Sequence, residues 1–123
     1  MKLHASVTAG LMSITAYDAG FIAVNGRRLT KSFLLTPRRL IEEWSPTDFE
    51  ALTESDFQAI ADIGAPIVLL GTGAHQRFPR PALLRPLIER RVGVEVMDTH
   101  AACRTYNILM AEGRDVAAAL LIA

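Results

Sequence analysis

The side chains able to do chemistry concentrate in two short segments. One is Gly71-Thr72-Gly73-Ala74-His75-Gln76-Arg77, directly after the apolar run Ile67-Val68-Leu69-Leu70; the other is Asp98-Thr99-His100, directly after Val94-Glu95-Val96-Met97. Both read as loops beyond the carboxyl ends of strands, where open parallel sheets bind their ligands. Glycine lets a ligand approach the main chain, and the free amides of a helix start favour anions. Thr72, Gly73, His75, Arg77, Asp98 and Thr99 are therefore candidate ligand-binding residues for a small molecule or anion. The same residues have a plainer use, in which the glycines form a tight turn and Asp98 or Thr99 caps the following helix. Gly-Thr-Gly is neither a phosphate loop nor a dinucleotide fingerprint, because the later Gly-Lys-Ser/Thr and the third glycine are missing.

Other chemistries find less support. His4, His75 and His100 are scattered without metal-ligand spacing, so a zinc site is not expected and no metal is assigned. No Gly-x-Ser-x-Gly elbow supplies a nucleophile. Glu42, Glu43, Glu95 and Asp98 could serve acid/base work only if the fold paired them. Cys103 lies near a helix start but beside an apolar stripe with no adjacent base, which reads as a packed small residue. No catalytic residue and no cofactor is assigned, and the chain reads more as a non-enzyme than as an enzyme.

The elements that must position these segments follow from periodicity. Phe21 to Val24 and Leu29 to Leu35 are apolar runs around Asn25-Gly26, a strong hairpin signal because both residues accept the positive φ of a type I′ turn. Arg39 to Trp44 could add a strand. Ser45-Pro46-Thr47-Asp48 and Thr53-Glu54-Ser55-Asp56 are capping boxes, and Gly64 stops the helix opened by the second. The rhythm then becomes β-α-β-α-β: strand 66–71, helix 81–92, strand 94–98, helix 100–112, strand 115–122. Pro86 should kink the first of these helices. Such alternation implies parallel strands with right-handed crossovers. On helix 100–112, Ala102, Tyr106, Leu109, Met110 and Gly113 share a core-facing stripe, which leaves His100, Arg104 and Asn107 on the opposite face as candidate partner-binding residues.

Composition narrows the class. With 123 residues, half of them apolar, the chain reads as a single domain, 1–123, able to bury a core unaided. Residues 1–11 are weakly patterned and expected to be loosely ordered. A formal net charge of zero and no Lys/Arg-rich face argue against nucleic acid as a partner. The single cysteine gives no internal disulfide, and the start of the chain lacks the pattern of a signal or transit peptide, so a cytoplasmic location is expected. The longest apolar run, Val116 to Ala123, is too short to span a bilayer.

Gly71-Thr72-Gly73, Phe78-Pro79, Gly93 to Thr99, Ala101-Ala102, Arg104 to Asn107 and Glu112-Gly113-Arg114 together resemble a widespread family of small uncharacterised domains. That family includes mitochondrial respiratory complex I assembly factor 3 and the adipogenesis-associated domain protein of animals, and this chain looks like a bacterial member. The resemblance implies an α/β fold in three layers, with a β-hairpin layer packed on a βαβαβ unit whose sheet is mixed and mostly parallel. It also implies a protein-interaction or assembly role, linked to respiratory complexes in the mitochondrial member, with no catalytic residues assigned. The protein partner is unknown. Two alternatives stand beside this reading: a small-molecule or anion-binding domain, conceivably an enzyme, using Gly71 to Arg77 and Asp98-Thr99, and a homodimer that buries its hairpin edge.

Overall fold

The computed structural model describes residues 10–123, so His4 and most of the segment expected to be loosely ordered lie outside the described residues. The chain begins as an antiparallel sheet of three strands, β1 (Ile14–Asp18), β2 (Phe21–Val24) and β3 (Arg27–Leu29), ordered β1-β2-β3. Asn25 and Gly26 join β2 to β3 with φ of 49° and 84°, the two left-handed residues that a type I′ hairpin turn requires. Their sequence signal therefore acts where it was read.

The second half of that hairpin behaves differently. Instead of one strand from Leu29 to Leu35, β3 ends at Leu29 and β4 (Phe33–Thr36) enters another sheet. All four residues of β4 are buried, which a strand gains only when both of its faces are covered. Ser32 holds the crossing point: its hydroxyl is buried and donates to the carbonyls of Trp44 and Pro46. The antiparallel strand β5 (Arg39–Ile41) follows. Asp48, not Ser45, then caps a single 3-10 turn over Phe49–Ala51, accepting from the Ala51 amide at 3.0 Å.

The Thr53–Asp56 box opens α1 (Glu54–Ile63), with both reciprocal bonds formed. Strand β6 (Ile67–Gly71) leads through the long loop to a 3-10 turn (Pro81–Leu84) and the short helix α2 (Arg85–Glu89). Pro86 does not kink a helix spanning 81–92; it lies in the first turn of α2, where its missing N–H has no intrahelical partner to lose. Strand β7 (Val94–Met97), helix α3 (Thr99–Ala111) and strand β8 (Val116–Leu120) complete the chain.

The five-stranded sheet has the order β5-β4-β8-β6-β7. Strand β6 pairs in parallel with β7 and β8, whereas β4 pairs antiparallel with β5 and β8. The chain moves outward from β6 to β7, then back across β6 to β8. Right-handed crossovers in opposite directions require connecting helices on opposite faces, and the cores follow that rule. Leu34, Val68, Leu70, Ala119 and Leu121 pack with Phe57 and Ile60 of α1 and Leu87 of α2. Leu35, Leu69, Ala118 and Leu120 point the other way and pack with Ala102, Cys103, Tyr106 and Met110 of α3 and with Ile14, Ile22 and Val24 of the small sheet. Three layers result, with the mixed sheet in the middle.

Candidate functional site

Because the connections after β6 and β7 depart to opposite faces, their start forms the crevice at which doubly wound sheets bind ligands. Thr72, Gly73, Asp98 and Thr99 all lie there, as their spacing implied. In this chain the crevice is filled from within. The Thr99 side chain is fully buried, accepts from the Gly73 amide at 2.7 Å and donates to the Leu121 carbonyl at 2.6 Å. One hydroxyl thus joins the ends of β6 and β8 to the first turn of α3. Thr72, also buried, accepts from the Arg77 amide at 3.2 Å and directs its hydroxyl to the His75 and Met97 carbonyls. The Asp98 carboxylate caps α3 by accepting from the Ala101 amide at 2.9 Å.

Gly71 explains how these segments come so close. A Cβ on it would stand 2.9 Å from Thr99 Cα and 3.0 Å from Thr99 Oγ1, nearer than side chains approach backbone. The missing side chain is the space that α3 occupies. Past this knot the loop turns outward. His75 is exposed, and Arg77 leaves the crevice to pair with Glu50 and to lie over the Phe49 ring at 4.3 Å. The Arg77 hydrogen bond is the main reason the Glu50 carboxyl sits below its ordinary range. The Gln76 amide donates to the Val96 carbonyl at 2.9 Å, covering part of the free edge of β7.

The three residues expected on the outer face of α3 divide in their roles. Asn107 reaches the small sheet: its Oδ1 accepts from the Ile14 amide at 2.9 Å and its Nδ2 donates to the Ile14 carbonyl at 2.7 Å. The carboxamide stands in for a neighbouring strand on the free edge of β1. His100 is half-buried, its ring 4.7 Å from that of Tyr17, and its Nε2 is enclosed without a hydrogen-bond partner among the described residues. Arg104 is exposed and donates to the Tyr17 hydroxyl at 3.1 Å, a bond that raises its already high pKa and keeps it a cation. One turn further along lies Ile108, a large apolar side chain with 59% of its surface exposed. Sequence periodicity missed Ile108, since neither the apolar stripe nor the polar one included it. Cys103, next to Arg104, is fully buried, and burial pushes its thiol up to about 12, out of reach of nucleophilic chemistry.

Fold and site together define a small three-layer α/β domain with a self-filled crevice and a helix flank carrying exposed arginine and isoleucine beside a half-buried tyrosine of β1. The profile of the family described as protein of unknown function (DUF498/DUF598) matches residues 14–121, and the chain belongs to that family. NADH dehydrogenase (ubiquinone) 1 alpha subcomplex assembly factor 3 of Bos taurus is 34% identical over 112 residues, which cover 89% of this chain and 60% of that relative. The chain thus spans less than two thirds of that relative's length. A crystal structure of a Bordetella parapertussis protein shares 41% identity at a TM-score of 0.87, covering 94% of this chain and 98% of the other. A Bordetella pertussis solution structure described as a Mth938-like domain shares 35% identity at a TM-score of 0.81, covering 92% and 87%. Among the described residues, no helix is long and apolar enough to cross a membrane.

Proposed function

We propose that this domain acts by docking on other proteins during the assembly of a membrane-bound respiratory complex. The observation that carries this reading is the 34% identity to a complex I assembly factor across 89% of the chain. The geometry supports it in two ways. The crevice where such a sheet would hold a substrate has its two threonine hydroxyls spent on the backbone. On the α3 flank, by contrast, Tyr17, Arg104 and Ile108 stand together and offer the residue chemistry that dominates binding energy in protein interfaces: an aromatic, a guanidinium and an apolar anchor.

The test is affinity purification of the tagged chain from its native host, with Arg104→Glu as the control. The unmodified chain should enrich subunits of a multisubunit membrane complex. Arg104→Glu should lose them while leaving the thermal unfolding midpoint unchanged, because the side chain is exposed. Recovery of the same subunits with both chains would move the interface elsewhere. Recovery of the chain alone would overturn the reading.

A further inference from the structure

At the end of the molecule opposite the filled crevice, a cleft of about 420 Å³ opens between the β4–β5 turn and the connection from α3 to β8. Three arginines line it, Arg38 and Arg39 from the turn and Arg114 from the connection. The Arg38 and Arg39 backbone amides are both used, donating to Thr36 Oγ1 at 3.3 and 3.0 Å. Their guanidinium groups form no ion pair among the described residues, and Arg114 meets only Glu112, at 3.9 Å. Arg38 and Arg39 are thus left as adjacent cations without ion-pair partners among the described residues in a chain of zero net charge, and an anion relieves their repulsion.

From this arrangement we propose that the cleft binds a phosphomonoester attached to an apolar organic group. Charge favours an anion: three arginines, less Asp115 of the lining and Glu112 beside Arg114, leave a surplus of one, and the two arginines without an ion pair among the described residues, Arg38 and Arg39, match the close to two negative charges of a phosphomonoester at neutral pH. Guanidinium forks match phosphate oxygens two at a time. The wall behind them is apolar, made by Pro37, Ile63 and Met110, and would take the organic group. The volume suits a small ligand, for which sites run from about 300 to 1,000 Å³. The chemistry is common to a free metabolite and to a lipid headgroup of the phosphatidic acid type. This site is separate from the α3 flank, and neither proposal depends on the other.

The experiment is a titration of the full chain with inorganic phosphate at constant ionic strength, followed by amide chemical shifts. Saturable shifts are expected at Arg38, Arg39, Gly113 and Arg114, and the double variant Arg38→Gln, Arg39→Gln should bind at least about tenfold more weakly. Both side chains are exposed, so the variant should keep the native spectrum elsewhere. Shifts that never saturate, that appear equally at Arg27, Arg77 and Arg104, or that persist with unchanged affinity in the double variant would overturn the site. Given phosphate binding, sedimentation with phosphatidylcholine vesicles containing phosphatidic acid identifies the source. Retention that is lost in the double variant assigns the lipid headgroup, and no retention assigns a free phosphomonoester.

Discussion

The first turn of α3 and its solvent-facing flank draw on the same kinds of polar side chain and put them to opposite uses. At the turn, Thr99 and the neighbouring Thr72 are buried and every hydroxyl contact goes to backbone of the chain itself. On the flank, Arg104 contacts one phenol and Ile108 is left 59% exposed. The first arrangement closes three strand and helix ends against one another. The second leaves a guanidinium and an apolar side chain facing solvent. Position at a switch point therefore does not by itself make a ligand site; what counts is whether the polar groups there are already consumed.

Filling the contact between turn and strand should break the closed region most severely. Gly71→Ala sets a methyl group 2.9 Å from Thr99 Cα and 3.1 Å from the Leu120 side chain, so backbone must move. A loss of about 3 kcal/mol is expected, read from the midpoint of urea unfolding. Thr99→Val keeps the shape but strands the Gly73 amide and the Leu121 carbonyl, for about 2 kcal/mol. Thr99→Ser keeps the hydroxyl and should cost only about 1 kcal/mol for the lost methyl group. Equal losses for valine and serine would mean that the hydroxyl is not what closes the crevice.

How much of this contrast was legible in the sequence depends on whether a local or a tertiary force decides each element. The Asn25-Gly26 turn, the Thr53–Asp56 box and the order of the β-α-β-α-β rhythm are set by local backbone chemistry and stand as the residues imply, except that the helix expected over 81–92 shrinks to a 3-10 turn and Arg85–Glu89. The departure of β4 from its hairpin is decided by which face must be buried, information that no window around Leu29 to Leu35 contains. The crevice residues were identifiable because glycine and threonine after a strand mark a tight βα turn. That Thr99 would bond to Leu121, far along the chain, was not readable, since it depends on β8 returning beside β6. Asn107 reads from its spacing as part of the outer face of its helix, yet its side chain is taken up by the edge of β1, which spacing along the helix cannot reveal.

Asn107 is the element that makes the contrast testable between the two regions, because it belongs to the flank by position and to the core by its bonds. Asn107→Ala removes both hydrogen bonds to Ile14 and uncovers the edge of β1. It should lower stability by about 1.5 kcal/mol and increase hydrogen exchange at the Ile14 amide, while α1 and β6 keep their protection. An Asn107→Ala chain as stable as the unmodified one would return this residue to the solvent-facing group, together with Arg104.

The smallest effect separates two adjacent residues of the same helix. Burial pushes the Cys103 thiol from 9.0 up to about 12, whereas Arg104 stays a cation in water. Below pH 9.0 the thiol is protonated in both the folded and the unfolded chain, and its contribution to stability is constant. Above that value the unfolded chain releases a proton that the folded chain retains, so stability falls with rising pH until the folded thiol itself ionises. Tyr106, raised by its own burial, adds to the fall above its ordinary value of 10.0. Urea midpoints measured on either side of pH 9.0 should therefore decline more gently for Cys103→Ala than for the unmodified chain, and Arg104→Gln should leave the decline as it was. A profile altered by Arg104→Gln and not by Cys103→Ala would show that the flank, and not the buried stripe of α3, governs the alkaline response.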